Sequence, residues 1–129
     1  MPLRQTFGKA ERLKSRKSID ALFKEGQRFN KGSIRVLYRV VPEPGIRVGV
    51  GVSTRQFKRA VDRNRVKRLL REAYRLQKQA LTPSLEKVSG IDIFFIYTAT
   101  TLPEYAELAA QVAQILTKLN TSLVSTSTP

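Results

Sequence analysis

Asp62-Arg63-Asn64-Arg65-Val66-Lys67-Arg68-Leu69-Leu70-Arg71-Glu72-Ala73-Tyr74-Arg75 is the stretch on which the reading of this chain turns. Wound as a helix at about 100° per residue, it separates into two faces. Val66, Leu69, Leu70, Ala73 and, further on, Ala80 follow the i, i+3, i+4, i+7 spacing of an apolar stripe. Asn64, Lys67, Arg68, Arg71, Arg75 and Lys78 gather on the opposite side, with Arg63 and Arg65 flanking them near the helix start. Cations one turn apart repel each other, and Glu72 is the only acid on that side. A polyanion lying along the face turns the repulsion into attraction, and phosphate backbones are the commonest such partner. The alternative is a solvated face that only keeps the protein soluble, but such faces usually mix signs.

The rest of the chain agrees with a nucleic-acid partner. Its 129 residues suit one compact domain with a real core, and its formal charge is +14. That charge is unevenly placed. Residues 1–80 hold 22 of the 24 bases and 6 of the 10 acids, a net +16, whereas residues 81–129 come to −2. A basic first two thirds suggests a binding surface more than a general solubility device.

Cysteine and histidine are both absent. The first absence removes disulfides, a thiolate nucleophile and a zinc knuckle. The second removes the commonest general base and metal ligand. The ten carboxylates show no paired spacing of the kind a protein-borne metallonuclease needs, and no Gly-rich phosphate loop is present. No catalytic residue and no metal site is therefore expected on the protein. Apolar runs are too short for a membrane span, and the first residues lack the apolar core of a signal peptide. A cytoplasmic location is expected, with no membrane and no small-molecule substrate.

Along the chain, a first helix should start at Ser15 or Ser18 and end before Gly26, with Ile19, Leu22 and Phe23 as its apolar patch. Residues 33–41 alternate as a strand, Pro42-Glu43-Pro44-Gly45 is a turn, and Arg47 to Ser53 is a second strand, so an antiparallel hairpin is expected. The basic helix follows, roughly Lys58 to Ala80. A loop with Thr82-Pro83-Ser84 and Ser89-Gly90 then leads to Ile91–Tyr97, apolar on both faces like an interior strand. Thr101-Leu102-Pro103-Glu104 reads as a capping box for a last helix with Tyr105, Leu108, Val112, Ile115, Leu116 and Leu119 inward. A short strand near Phe7 or between Arg28 and Lys31 is weakly signalled. Residues 1–10 and the Ser/Thr-rich 121–129 are expected to be flexible. The order helix, strands, helix, strand, helix predicts an α+β fold, a single-domain α-β sandwich over residues 1–129.

The motif RNRVKRLLREAYR, preceded by GVGVSTRQFKRAVD, resembles the protein subunit of bacterial ribonuclease P. The likeness extends upstream through RLKSRKSIDALFKEGQRF and VLYRV, and downstream to DIFFIYT, covering roughly residues 11–119. The resemblance implies a small basic protein that binds a large catalytic RNA. The ribonucleoprotein removes the 5′ leader of precursor tRNA by Mg²⁺-assisted hydrolysis, with Mg²⁺ held by RNA and phosphates. It also implies a mixed sheet crossed left-handedly by the basic helix, like one domain of a small-subunit ribosomal protein. Parallel strand–helix–strand units are otherwise right-handed as a rule.

Carried over by position, Arg63, Asn64, Arg65, Lys67, Arg68, Arg71 and Arg75 would meet the catalytic RNA. Arginine offers a planar fork to phosphate and lysine a point charge, while the Asn64 amide both donates and accepts. The family's leader cleft lies between its first helix and the sheet. Phe23, Tyr38, Ser53, Thr54, Arg55 and Lys58 occupy the matching positions, aromatic faces with cations between them suiting unpaired bases. For Phe23, burial in the core is an equal alternative. Gly49 and Gly51 leave a bare strip of sheet that a backbone could approach or a helix could cover. Two positions depart from the family: Ile19 stands where an aromatic is usual, and Tyr97-Thr98-Ala99-Thr100 lacks the usual base. A structural RNA-binding protein of ribosomal type, with no role in cleavage, is the competing expectation. A DNA-reading helix is less well supported, because no helix-turn-helix, zipper or zinc pattern accompanies it.

Overall fold

A computed structural model describes residues 12–13, 15–85 and 88–126. The possible strand near Phe7 and the segments 1–10 and 127–129 lie outside the described residues. The elements are α1 (Arg16–Glu25), β1 (Gln27–Lys31), β2 (Ile34–Val41), β3 (Gly45–Val52), α2 (Ala60–Gln77), a short α3 (Thr82–Leu85), β4 (Gly90–Tyr97) and α4 (Tyr105–Thr126). This is the expected α+β sandwich.

Ser15 caps α1, its hydroxyl accepting from the Ser18 amide at 3.4 Å. Gly26 ends the helix with extended rather than left-handed backbone (φ −69°). Glycine is needed there for space, since a Cβ would sit 2.4 Å from the Leu22 carbonyl. The weakly signalled strand between Arg28 and Lys31 is real, and β1 pairs antiparallel with β2.

The expected hairpin of β2 and β3 is not formed. The strand order is β1-β2-β4-β3, with β4 antiparallel to β2 and parallel to β3. A strand apolar on both faces gains most where both faces are covered, at the sheet interior, and β4 takes that place. The Pro42–Pro44 segment consequently crosses the end of β4 instead of turning tightly. Gly45 donates its N–H to the Ser89 carbonyl at 3.1 Å. Gly90 lies so close to the Glu43 carbonyl that a Cβ would fall 1.7 Å from it. The chain passes from β3 to the parallel β4 by way of α2.

The sheet separates two unequal apolar layers. On one side Ile34, Val36, Tyr38, Ile46, Val48, Ile91, Ile93, Phe95 and Tyr97 meet α2 and α4 in the main core. On the other, among the described residues, Leu37, Phe94 and Ile96 pack with Leu13 and, from α1, with Leu22 and Ile19. Residue alternation along each strand makes this sorting.

Several boundaries differ from expectation. Residues 58–59 precede α2, and its last turn tightens into a 3₁₀ segment, Lys78–Leu81. The tighter winding carries Lys78 off the cationic side into the interior, 1% exposed, and brings Leu81 inward while Ala80 faces solvent. The Thr101 capping box is not used. Helix α4 begins three residues beyond Pro103's predecessor, with Leu108 N–H bonding the Glu104 carbonyl, and the Thr101 carbonyl accepts from the Tyr97 hydroxyl at 2.9 Å. Helix α4 then runs through Thr126, past the point where a flexible tail was expected, because Leu123 still has core to bury into.

Candidate nucleic-acid interface

The α2 ridge begins at a loop that is wired in place. Ser53 Oγ accepts from Arg55 N–H at 3.0 Å, and the Ser53 carbonyl accepts from the amides of Gln56 (3.1 Å) and Phe57 (3.2 Å). Phe57 is buried and stacks on Tyr97 at 6.2 Å. Arg63 reaches back from the first turn of α2, its Nη1 donating to the carbonyls of Phe57 (2.9 Å) and Lys58 (2.8 Å). These contacts make Arg63 a clamp on the helix start. Ser53, Thr54, Arg55 and Lys58 all remain exposed around it.

Beyond the clamp, Asn64, Arg65, Arg68 and Arg71 stand exposed on α2, with Lys67 half-buried on the flank. Asn64, Arg68 and Arg71 at i, i+4 and i+7 form one line of donors. Arg75 continues the line but is ion-paired with Glu72. The hydrogen bond from Arg75 holds the Glu72 carboxyl below its usual range, and Glu72 raises Arg75 in turn. Lys78, expected on this face, is absent from it. Partial burial, and then the charge of Arg12, lower the Arg71 pKa. A guanidinium is so basic that it keeps its charge at neutral pH.

The second surface is the α1 side of the sheet. Phe23 is 41% exposed and meets Phe94 edge-on, ring centroids 5.6 Å apart. Phe94 spans Gly49 and Gly51, where a Cβ would lie 2.7 and 2.9 Å from its ring. The bare glycine strip is therefore roofed by an aromatic ring, and the backbone that approaches it is the chain's own, Leu13 N–H donating to the Val48 carbonyl at 3.0 Å. Arg28 Nη2 holds the Phe23 carbonyl at 2.7 Å, Arg35 bonds Asn30 at 3.3 Å, and Arg39 pairs with Glu25 at 3.3 Å. After β4, where the family's usual base is missing, Thr98 donates its hydroxyl to the Ser33 carbonyl.

Tyr38 does not join Phe23. It lies on the opposite face of the sheet, 7% exposed, edge-on to Phe29 at 6.0 Å, with its hydroxyl donating to Gln27 Oε1 at 3.1 Å. In β2 it shares a face with Ile34 and Val36, so alternation alone sends it into the core. The residue missed in its stead is Phe94. It offers a second aromatic from β4, while Ile19 offers none from α1. The signal was unreadable in a strand whose two faces are both apolar.

Among the described residues no three carboxylates gather as a metal site. Asp92 is engaged by Arg47 at 2.7 Å, and Glu25 and Glu72 are paired as above. No described helix is long and apolar enough to cross a membrane.

Known proteins share sequence and fold with this chain. The family described as Ribonuclease P matches residues 7–120. The ribonuclease P protein component of Porphyromonas gingivalis strain W83 is 38% identical over 120 residues, covering 88% of each chain. That of Chlorobaculum tepidum is 32% identical over 124 residues, covering 86% of this chain and 80% of the relative. Among solved structures, the Staphylococcus aureus RNase P protein is similar with a TM-score of 0.68 at 21% identity, covering 86% of this chain and 96% of that one. The Thermotoga maritima protein gives 0.68 at 24% identity, covering 84% and 96%. At such identities the structural likeness speaks for the fold.

Proposed function

The chain belongs to the ribonuclease P protein family, and from that premise we propose how it works as the protein subunit in tRNA 5′ processing. The exposed line Asn64, Arg68 and Arg71, with Arg65 and Lys67 beside it, docks on the catalytic RNA. The α1 side of the sheet receives the unpaired 5′ leader of precursor tRNA against Phe23 and Phe94, with Ser53, Thr54, Arg55 and Lys58 at its rim. The observation that supports the reading is two surfaces that meet at one cavity: exposed arginines along α2, and the partly exposed rings of Phe23 and Phe94 on the α1 side of the sheet, with Arg71 and Phe94 lining the cavity between them. Phosphates give affinity on the first and base stacking gives sequence-tolerant grip on the second.

The protein's part is binding and orientation. Arg63 fixes the angle of the loop against α2, so the two surfaces keep a constant relation. Holding the leader beside the catalytic RNA raises the effective concentration of the scissile phosphodiester at the RNA's own centre. No histidine or cysteine stands ready to move a proton, and chemistry is assigned to the RNA, with Mg²⁺ held by RNA and phosphates. A cytoplasmic location goes with these partners.

The test is multiple-turnover cleavage of a leader-bearing precursor by the matching catalytic RNA at low Mg²⁺, with and without the protein. Stimulated cutting at the mature 5′ end is expected. RNA binding without stimulation would favour a structural RNA-binding protein instead.

A further inference from the structure

We propose that Arg63 touches no RNA and is a positioning residue, which presents Lys58 from the loop between β3 and α2 to the precursor. This rests on the reading that puts Lys58 at the rim of the precursor site. It gives Arg63 a different task from Arg65 and Arg68, its neighbours in the same motif.

The loop, residues 53–59, needs something to hold it. Arg55, Lys58 and Arg59 are three exposed cations within it, and they precede the positive end of the α2 dipole. Their mutual repulsion favours an open loop. Arg59, at the helix start, makes no side-chain cap bond, so the usual device for fixing a chain's entry into a helix is missing. Two contacts take its place. Phe57 is buried and stacks on Tyr97, whose hydroxyl donates to the Thr101 carbonyl. Arg63 Nη1 donates to the carbonyls on either side of the Phe57–Lys58 step, at 2.9 and 2.8 Å.

The charge of Arg63 is consistent with such a latch. A cation in the first turn of a helix opposes the helix dipole. Here the two carbonyls, each the negative end of a peptide dipole, offset that cost, and a hydrogen bond from an ionised donor is about twice as strong as a neutral one. Both hydrogens of Nη1 are engaged and the side chain is half-buried, which closes one edge of the guanidinium fork to phosphate. Arg65 and Arg68 are exposed by contrast. One of the two latched carbonyls belongs to Lys58 itself, so Lys58 is the side chain whose direction Arg63 sets most directly.

The test uses the reconstituted ribonucleoprotein with the unaltered protein, Arg63→Met, Arg63→Lys, Lys58→Ala and the double variant Arg63→Met with Lys58→Ala. Methionine keeps the apolar stem and removes the donors, whereas lysine can still donate to both carbonyls. For association with the catalytic RNA, Arg63→Met should leave the log-affinity against log-salt slope unchanged, where loss of a phosphate contact makes it shallower by about one. For cleavage of a leader-bearing precursor, Arg63→Met should raise KM about threefold to tenfold, the scale of one displaced phosphate contact, with kcat kept. Arg63→Lys should recover most of that loss. The double variant should lose little more than Lys58→Ala alone, since Arg63 acts through Lys58.

Amide hydrogen exchange reads the loop itself. The N–H groups of Gln56 and Phe57, held by the Ser53 carbonyl, should exchange faster in Arg63→Met and not in Lys58→Ala. A shallower salt slope for Arg63→Met would make Arg63 a phosphate ligand and overturn the proposal. Additive losses in the double variant, or unchanged exchange at Gln56 and Phe57, would overturn it as well. If Lys58→Ala leaves KM unchanged, the rim reading fails and the presentation of Lys58 with it, while faster exchange in Arg63→Met would still establish the latch.

Discussion

Phe94 and Phe95 are neighbours in β4, yet they belong to different regions of the molecule. Phe95 lies wholly inside, beside Tyr74 on the side covered by α2 and α4. Phe94 lies half-exposed under α1 with Phe23. The same four strands thus present one face closed by two long helices and one face closed in part by a ten-residue helix. The closed side carries Ile, Val, Leu and ring residues. The open side carries Arg35, Arg39, Arg47, two glycines and two partly exposed rings. Stability is concentrated on one face, and the other is left with surface to offer a ligand.

The adjacent pair gives the sharpest way to break this contrast. Phe95→Ala should cost about 3–5 kcal/mol, the usual loss for emptying a packed aromatic site. Phe94→Ala should cost only about 1–2 kcal/mol, since part of its surface already faces the groove. Chemical denaturation of the two variants reads both numbers. Equal losses would mean that the α1 side is as much core as the other. RNA binding should separate them in the reverse sense, with the folded Phe94 variant losing leader preference.

One polar device on the open face should matter next most. Arg47 and Asp92 keep only 18% and 9% of their side-chain surfaces exposed, and Arg47 also holds the carbonyls of Pro44 (3.1 Å) and Glu43 (3.2 Å). Arg47→Ala strands a carboxylate and frees the crossing segment, at a cost of about 2–4 kcal/mol. Replacing both partners, Arg47→Met with Asp92→Leu, should cost less than the single change, because no charge is left unpaired. A double variant as damaged as the single would show that the loop carbonyls, and not the ion pair, dominate.

Smaller effects are expected along α2, and they compare free with engaged cations. Arg68→Ala should weaken association with the catalytic RNA about tenfold and make the log-affinity against log-salt slope shallower by about one. Arg75→Ala should do less, because Glu72 already opposes its charge. An unchanged slope for Arg68→Ala would remove that side chain from phosphate contact.

The legible parts of this molecule were those whose signal is local and periodic. The apolar stripe of α2, the cap at Ser15 and the alternation in β2 all follow from residue spacing. The pairing partner of β2 did not, because the insertion of β4 between β2 and β3 depends on which strand buries two faces, a property of the whole sheet. Lys78 was misplaced for a smaller reason, since a change from α to 3₁₀ winding leaves no mark in a sequence of good helix formers. At the interface the exposed arginines could be identified, but which of them are engaged could not. The clamp of Arg63 on the Phe57 and Lys58 carbonyls joins residues whose loop path no spacing rule supplies.

Tyr38 is where alternation and resemblance point in opposite directions, so it gives the most searching small test of the two-face description. Resemblance assigns it to the leader cleft. Alternation places it with Ile34 and Val36, and the structure agrees, with Phe29 packed on its ring and Lys118 Nζ 4.6 Å from the Phe29 ring centre on the same side. Tyr38→Phe keeps the ring and removes only the hydrogen bond to Gln27, a change of about 0.5–1.5 kcal/mol in stability. Because the hydroxyl faces away from α1, the ratio of precursor to mature tRNA binding should not move. A selective loss of precursor binding would bring the hydroxyl to the leader. The sheet would then have to open on the side where α4 packs, and the division between a stabilising face and a binding face would no longer hold.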